Sequence, residues 1–100
     1  MNVCLLDTVG LLALWDEDDQ WHAGAASAFA SLAAQKTRLI TTTFILLECG
    51  NSAVRRPYRS RVNALRLAMM ERDDVVTPSD DDWREAWEAS TEAKRALRGL

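Results

Sequence analysis

Two acidic residues, Asp7 and Glu48, stand in stretches that are otherwise apolar. Glu48 lies within FILLECGN, whose other residues favour a buried helix, and Asp7 follows the apolar run VCLL. A buried carboxylate is costly unless it is neutral, paired with a cation or turned towards water. Mg²⁺ and Mn²⁺ prefer oxygen ligands, and Mg²⁺ is commonly held by only one or two carboxylates together with water. The two acids are therefore candidate ligands of a divalent cation.

Each acid also has a plain structural explanation. Asp7 with Thr8 is typical of a strand end followed by a helix cap. Glu48 in an amphipathic helix can face solvent, or it can pair with Arg55, which lies on the same helical face. Residue types alone leave both explanations open.

Changes in hydrophobic period divide the chain into alternating strands and helices. The predicted strands cover residues 3–6, 38–42 and 74–78. The predicted helices cover residues 9–15, 20–35 and 43–56, a stretch from about Pro57 to Asp73, and a last segment after Ser79. The connections between strands are too long for hairpins, which favours parallel crossovers. The predicted fold class is α/β, a three-layer α/β/α sandwich with a short parallel sheet.

Local signals give details of these elements. Thr8 is the expected N-cap of the first helix, and Ser79 with Asp82 matches the capping-box pattern at the start of the last helix. The continuous apolar run VCLL predicts a strand buried on both faces. Helical spacing predicts two inward faces, Trp21, Ala25, Phe29 and Leu32 on one helix and Val62, Leu65 and Met69 on another. The tryptophans are expected to be core or interface anchors, namely Trp15, Trp21, Trp83 and Trp87.

The predicted topology brings the two acids towards one place. Ligands of open parallel sheets gather beyond the carboxyl ends of the strands, where Asp7 stands. Glu48 lies about 10 Å along the helix that follows the second strand, at roughly 1.5 Å per residue. Its side chain can therefore lean over the same crevice, and we expect the two carboxylates to converge.

Three segments of the chain resemble a known family. LLDTVGLLALWDEDDQWH, LITTTFILLECGNSAVRR and VVTPSDDDW are similar, in order and spacing, to the N-terminal part of a PIN domain, the ribonuclease fold of VapC-like toxin subunits. The resemblance implies a toxin/antitoxin endoribonuclease that hydrolyses RNA with Mg²⁺ or Mn²⁺. Asp7 and Glu48 match the first two acids of that family, which makes them the expected catalytic and metal-binding residues. It also implies an antitoxin protein as a partner.

The chain departs from the family in one respect. PIN domains continue with a third acid and with a strand that pairs with the free side of strand one, so residues 1–100 are expected to be a single truncated PIN-like domain. Strand one would then be an apolar sheet edge, which invites pairing with another chain. A homo-oligomer is expected for that reason. The alternative function is a catalytically silent PIN-fold remnant that acts as a binding or assembly module.

Charge and cysteine content bear on which residues could contact RNA and on the cellular compartment of the protein. The net charge of −3 gives no general affinity for nucleic acid, but residues 55–66 hold five of the twelve basic residues. Arg55, Arg56 and Arg59 are therefore the candidate RNA contacts, and a solvated helix face is the alternative. Cys4 and Cys49 lack disulfide or zinc spacing and predict reduced thiols in a cytoplasmic protein. Neither a signal peptide nor a membrane span is expected.

Overall fold

Three short apolar segments pair side by side in parallel. The computed structural model of the chain describes the backbone of residues 2–98 and the side chains of residues 2–95. Strands β1 (Val3–Leu5), β2 (Arg38–Thr42) and β3 (Val75–Val76) form a sheet of order β1-β2-β3. Both pairings are parallel, with Cys4 opposite Leu39 and Thr41 opposite Val75. The predicted parallel sheet is confirmed.

Helices fill the connections between these strands. They are α1 (Thr8–Trp15), α2 (His22–Ala34), α3 (Thr43–Ser52), α4 (Arg59–Glu71) and α5 (Asp80–Arg98). The mixed α/β class is therefore confirmed for residues 2–98, and the three-layer arrangement stays a prediction. The predicted helix over 43–56 ends at Ser52, and the next begins at Arg59 instead of near Pro57. Turns occupy the interval because Arg56 and Arg59 donate their backbone N–H groups to Ala53 and Arg56.

The first helix has a different cap from the predicted one. Asp7, with extended backbone dihedrals, is the N-cap, and its carboxylate accepts the N–H of Gly10. Thr8 is already the first helical residue, so the predicted cap was wrong by one position. Aspartate and threonine are both good N-caps, and only the path of the chain out of β1 selects between them.

One hydrophobic core joins the end of β1 to α1, α3 and α4. Its buried members are Leu6, Leu11, Trp15, Cys49, Ala53, Val62 and Met69. Half-buried Leu65 of α4 and Phe29 of α2 pack against it. Leu65 lies on the same side of α4 as buried Val62 and Met69, which confirms the predicted inward face of that helix. On α2, Ala25, Phe29 and Leu32 are half-buried as predicted, but Trp21 precedes the helix and is exposed.

The prediction that β1 is buried on both faces is wrong for this structure. Val3 and Leu5 are 54% and 53% exposed, whereas Cys4 on the opposite face is half-buried. Within the described part of the chain β1 pairs only with β2, so it is an edge strand, as expected. A cleft of about 150 Å³ separates Leu5 from Phe29 and Leu32 of α2, which leaves this face of the strand uncovered.

Helix α5 begins as predicted but does not join the core. Ser79 donates its N–H to Asp82 Oδ2 at 2.9 Å, and Asp82 returns its N–H to Ser79 Oγ at 3.1 Å. All its described side chains, residues 80–95, are exposed. Trp83 contacts Phe44 of α3, with ring centroids 6.0 Å apart, and Trp87 stacks edge-on against Trp83. Of the four tryptophans only Trp15 is a core residue in this structure.

No helix among the described residues has the length and apolar character needed to cross a membrane.

Candidate metal site

Two hydrogen bonds hold the end of β1 where Asp7 leaves the sheet. Leu6 donates its N–H to the Ile40 carbonyl at 2.8 Å, and the Thr41 hydroxyl donates to the Leu6 carbonyl at 3.0 Å. Thr41 is completely buried, so this second bond is shielded from water. The sheet therefore fixes the backbone immediately before Asp7, at the carboxyl end of β1.

The carboxylate of Asp7 lies against the first turn of α1. Its Oδ1 accepts the Gly10 N–H at 2.8 Å, which satisfies one of the free donors at the helix start. The residue is exposed, and its Oδ2 accepts no hydrogen bond from the described residues. Asp7 is thus itself the helix cap, in the role predicted for Thr8, and its Oδ2 takes no part in that bond.

Glu48 lies on α3, the helix that follows β2. Helix α3 begins directly after β2, where the Thr42 hydroxyl accepts the Ile45 N–H and caps it. Glu48 is exposed, and none of the ion pairs and hydrogen bonds between side chains of residues 2–95 involves it. The predicted alternative pair with Arg55 is therefore not formed in the described part of the chain.

The thiol of Cys49, which follows Glu48 in the sequence, is influenced by both acids. Cys49 is completely buried and faces α1. Burial raises the pKa of its thiol, and the negative charges of Glu48 and Asp7 raise it further, while the nearby Thr8 side chain opposes part of the shift. Both carboxylates thus influence the same buried thiol, Glu48 as the neighbour of Cys49 in the sequence and Asp7 more weakly from the end of β1.

The chemistry of this pair fits a hard divalent cation. Two exposed carboxylates offer oxygen donors, and Mg²⁺ can complete its octahedron with water and substrate phosphate. The described residues contain no cluster of three or more histidine, cysteine or acidic side chains that could hold a metal. The role of Asp7 and Glu48 as cation ligands stays a prediction from the sequence.

The predicted RNA-contacting arginines lie elsewhere on the surface. Arg55, Arg56 and Arg59 are all exposed. Arg59 lines a groove of about 340 Å³ between α3 and α4, and Arg56 lines a separate cleft beside the acidic turn at residues 16–18. Neither of these depressions includes Asp7 or Glu48 in its lining. The arginines therefore share neither of these depressions with the two acids. Asp7 lines the cleft beside α2, and Glu48 is not among the residues that line that cleft.

Sequence reasoning missed two residues that shape this site. Thr41 is the first of three consecutive threonines, and the sequence gives no sign that it differs from Thr42 and Thr43. The structure distinguishes it by its buried hydrogen bond to the Leu6 carbonyl. Gly10 lies inside a helix, where glycine is unfavourable, and that signal was available from the sequence.

Comparison of the chain with protein-family models, with curated proteins and with solved structures gave no match. The resemblance to PIN domains therefore stays a prediction from the sequence.

Proposed function

We propose that the protein is a metal-dependent endoribonuclease of toxin/antitoxin type that hydrolyses phosphodiester bonds of RNA. The observation that carries the proposal is the exposed carboxylate of Asp7 at the carboxyl end of β1. The influence of both Asp7 and Glu48 on the buried Cys49 thiol of α3 supports it. Ligand sites of parallel sheets are commonly found at this edge. The finer fold proposal is a PIN-like three-layer sandwich, which is supported by the parallel order β1-β2-β3 with helices after every strand.

The residues have distinct tasks in this proposal. Asp7 and Glu48 would hold Mg²⁺ or Mn²⁺, with Asp7 oriented by its hydrogen bond to the Gly10 N–H. A bound divalent cation supplies charge stabilisation at the phosphate and favours ionisation of water. Arg55, Arg56 and Arg59, which form no ion pair with residues 2–95, would contact phosphates of the RNA away from the cleaved bond. An antitoxin protein would cover the acidic edge.

The proposed setting is the cytoplasm. Cys4 and Cys49 are both free thiols, as expected where the environment keeps cysteines reduced.

The test is RNA cleavage by the purified chain with Mg²⁺ or Mn²⁺, before and after EDTA. Asp7→Asn and Glu48→Gln keep the size of each side chain, and asparagine caps a helix as well as aspartate does, so the fold is retained. Each change should lower the cleavage rate at least about 10- to 100-fold, the loss caused even by changing outer partners of a metal. The control is Glu85→Gln on exposed α5, which should cleave like the unchanged chain. Cleavage that survives EDTA and both site variants would reject the proposal.

A second candidate is a catalytically silent assembly module. It is favoured by the edge position of β1, whose Val3 and Leu5 are exposed, because an apolar edge strand can pair with the same strand of a second copy. Sedimentation at micromolar concentration distinguishes the candidates. Concentration-dependent dimers without metal-dependent cleavage would favour the module, and monomers without cleavage would exclude both.

A further inference from the structure

Gly10 occupies a position where a helix would be more stable with alanine. It is the third residue of α1, and none of the glycines in the described chain has the positive φ that only glycine adopts easily. In a helix interior, glycine lowers the helix-forming equilibrium roughly four- to fivefold relative to alanine. The backbone conformation therefore does not explain why residue 10 is glycine.

The surroundings of Gly10 give a steric reason, because the oxygen that an added Cβ would meet is the end of the Asp7 side chain and would have to shift. A Cβ atom built on Gly10 would lie 2.9 Å from Asp7 Oδ1, closer than such atoms approach in real structures. The same oxygen accepts the Gly10 N–H at 2.8 Å. By contrast, a Cβ on Gly24 of α2 or on Gly50 of α3 would meet nothing within 4 Å. Among these three helical glycines, only Gly10 makes room for a functional side chain.

We infer that Gly10 is the positioning residue of the Asp7 carboxylate. It supplies the N–H that holds Oδ1, and its missing side chain leaves the space in which that oxygen lies. The second oxygen of Asp7 accepts no hydrogen bond from the described residues. Its use as a cation ligand rests on the proposed function, whereas the coupling between the two residues does not.

A competing explanation is the cleft of about 150 Å³ that Gly10 and Asp7 line together with Leu5, Leu14 and Phe29. Alanine at position 10 would also take up space there. That effect is independent of the Asp7 side chain, so a double-mutant cycle separates it from the inferred contact.

The cycle compares Gly10→Ala, Asp7→Ala and the double variant by urea unfolding without metal, with Gly24→Ala as the matched control. Gly24→Ala should raise the folding equilibrium constant roughly four- to fivefold through helix propensity. Gly10→Ala should give the same gain only in the Asp7→Ala background and no gain, or a loss, when Asp7 is present. The inference would be overturned if Gly10→Ala raised the folding equilibrium constant equally with Asp7 and with alanine at position 7. If it raised the constant in neither case, the cleft beside Gly10 would be the explanation for the glycine.

Two further measurements do not depend on catalysis. Hydrogen exchange of the amide of residue 10 should be at least about tenfold faster in Gly10→Ala, because its bond to Asp7 is displaced. Titration with Mn²⁺ alone should show at least about tenfold weaker binding for Gly10→Ala and unchanged binding for Gly24→Ala. If the double-mutant cycle shows coupling between Gly10 and Asp7 but Gly10→Ala binds Mn²⁺ as tightly as the unchanged chain, the second oxygen of Asp7 is not a cation ligand. Coupling in a chain that neither binds Mn²⁺ nor cleaves RNA would support the positioning of Asp7 and reject the proposed function.

Discussion

Replacing Thr41 by valine tests whether one buried hydroxyl holds the end of β1 against β2. The hydroxyl donates to the Leu6 carbonyl at 3.0 Å, and Thr41 is completely buried. Valine has nearly the same shape, so the change removes the hydrogen bond without opening a cavity. Leu6 directly precedes Asp7, which makes this bond part of the support of the candidate metal site.

The magnitude follows from the burial of both partners. A buried carbonyl that loses its donor costs about 1–3 kcal/mol, and the more apolar valine returns up to about 0.8 kcal/mol for the methyl group. We therefore expect Thr41→Val to lower the free energy of unfolding by about 1–2 kcal/mol. For a domain of this size each kcal/mol lowers the midpoint of thermal unfolding by roughly 4–8 °C.

Thr37 is a matched control with the opposite expectation. Its hydroxyl is buried just before β2 and has no hydrogen-bond partner among the described residues. Thr37→Val removes a polar atom that is desolvated without compensation, so the free energy of unfolding should stay the same or rise by about 1 kcal/mol. The same substitution at two positions only four residues apart should thus lower the free energy of unfolding at Thr41 but not at Thr37.

Urea unfolding followed by circular dichroism measures both variants. The dependence of the unfolding free energy on urea should match that of the unchanged chain, because neither substitution alters the surface exposed on unfolding. The reasoning is refuted if Thr41→Val is as stable as the unchanged chain, or if Thr37→Val is the more damaging of the two.

Two further predictions use the pKa shifts in the structure. Hydrogen bonds from Ser79 lower the pKa of Asp82 below its ordinary value of 3.8, so its stabilisation of α5 is complete above 3.8 and is lost as the pH falls through the lowered value. Circular dichroism between about pH 7 and about pH 2 should show a larger helix loss below pH 3.8 for the unchanged chain than for Asp82→Asn, and parallel curves would contradict this. Burial and nearby carboxylates raise the pKa of Cys49, so at neutral pH a thiol reagent should modify half-buried Cys4 quickly and Cys49 only when the chain unfolds. Rapid modification of both thiols would show that Cys49 is accessible.

Much of the secondary structure could be predicted because its signals are local. The capping box of Ser79 and Asp82 joins residues three apart, and the inward face of α4 follows from a period of 3.6 residues. The three strands and their parallel pairing were also predictable, since alternating strands and helices leave few topologies. The exact cap of α1 was not, because Asp7 and Thr8 suit that position equally well in isolation.

The sequence by itself determined which residues can carry charge, cap a helix or fill a core. Only the tertiary structure decided that the Thr41 hydroxyl meets Leu6 and that the tryptophans of α5 stay outside the core. These features depend on contacts between elements that are distant in the chain, and helix or strand periodicity specifies a face but not its partner. Asp7 illustrates the division, since its residue type and place predicted a candidate ligand at a strand end, and only the structure showed that it caps α1 through the Gly10 N–H.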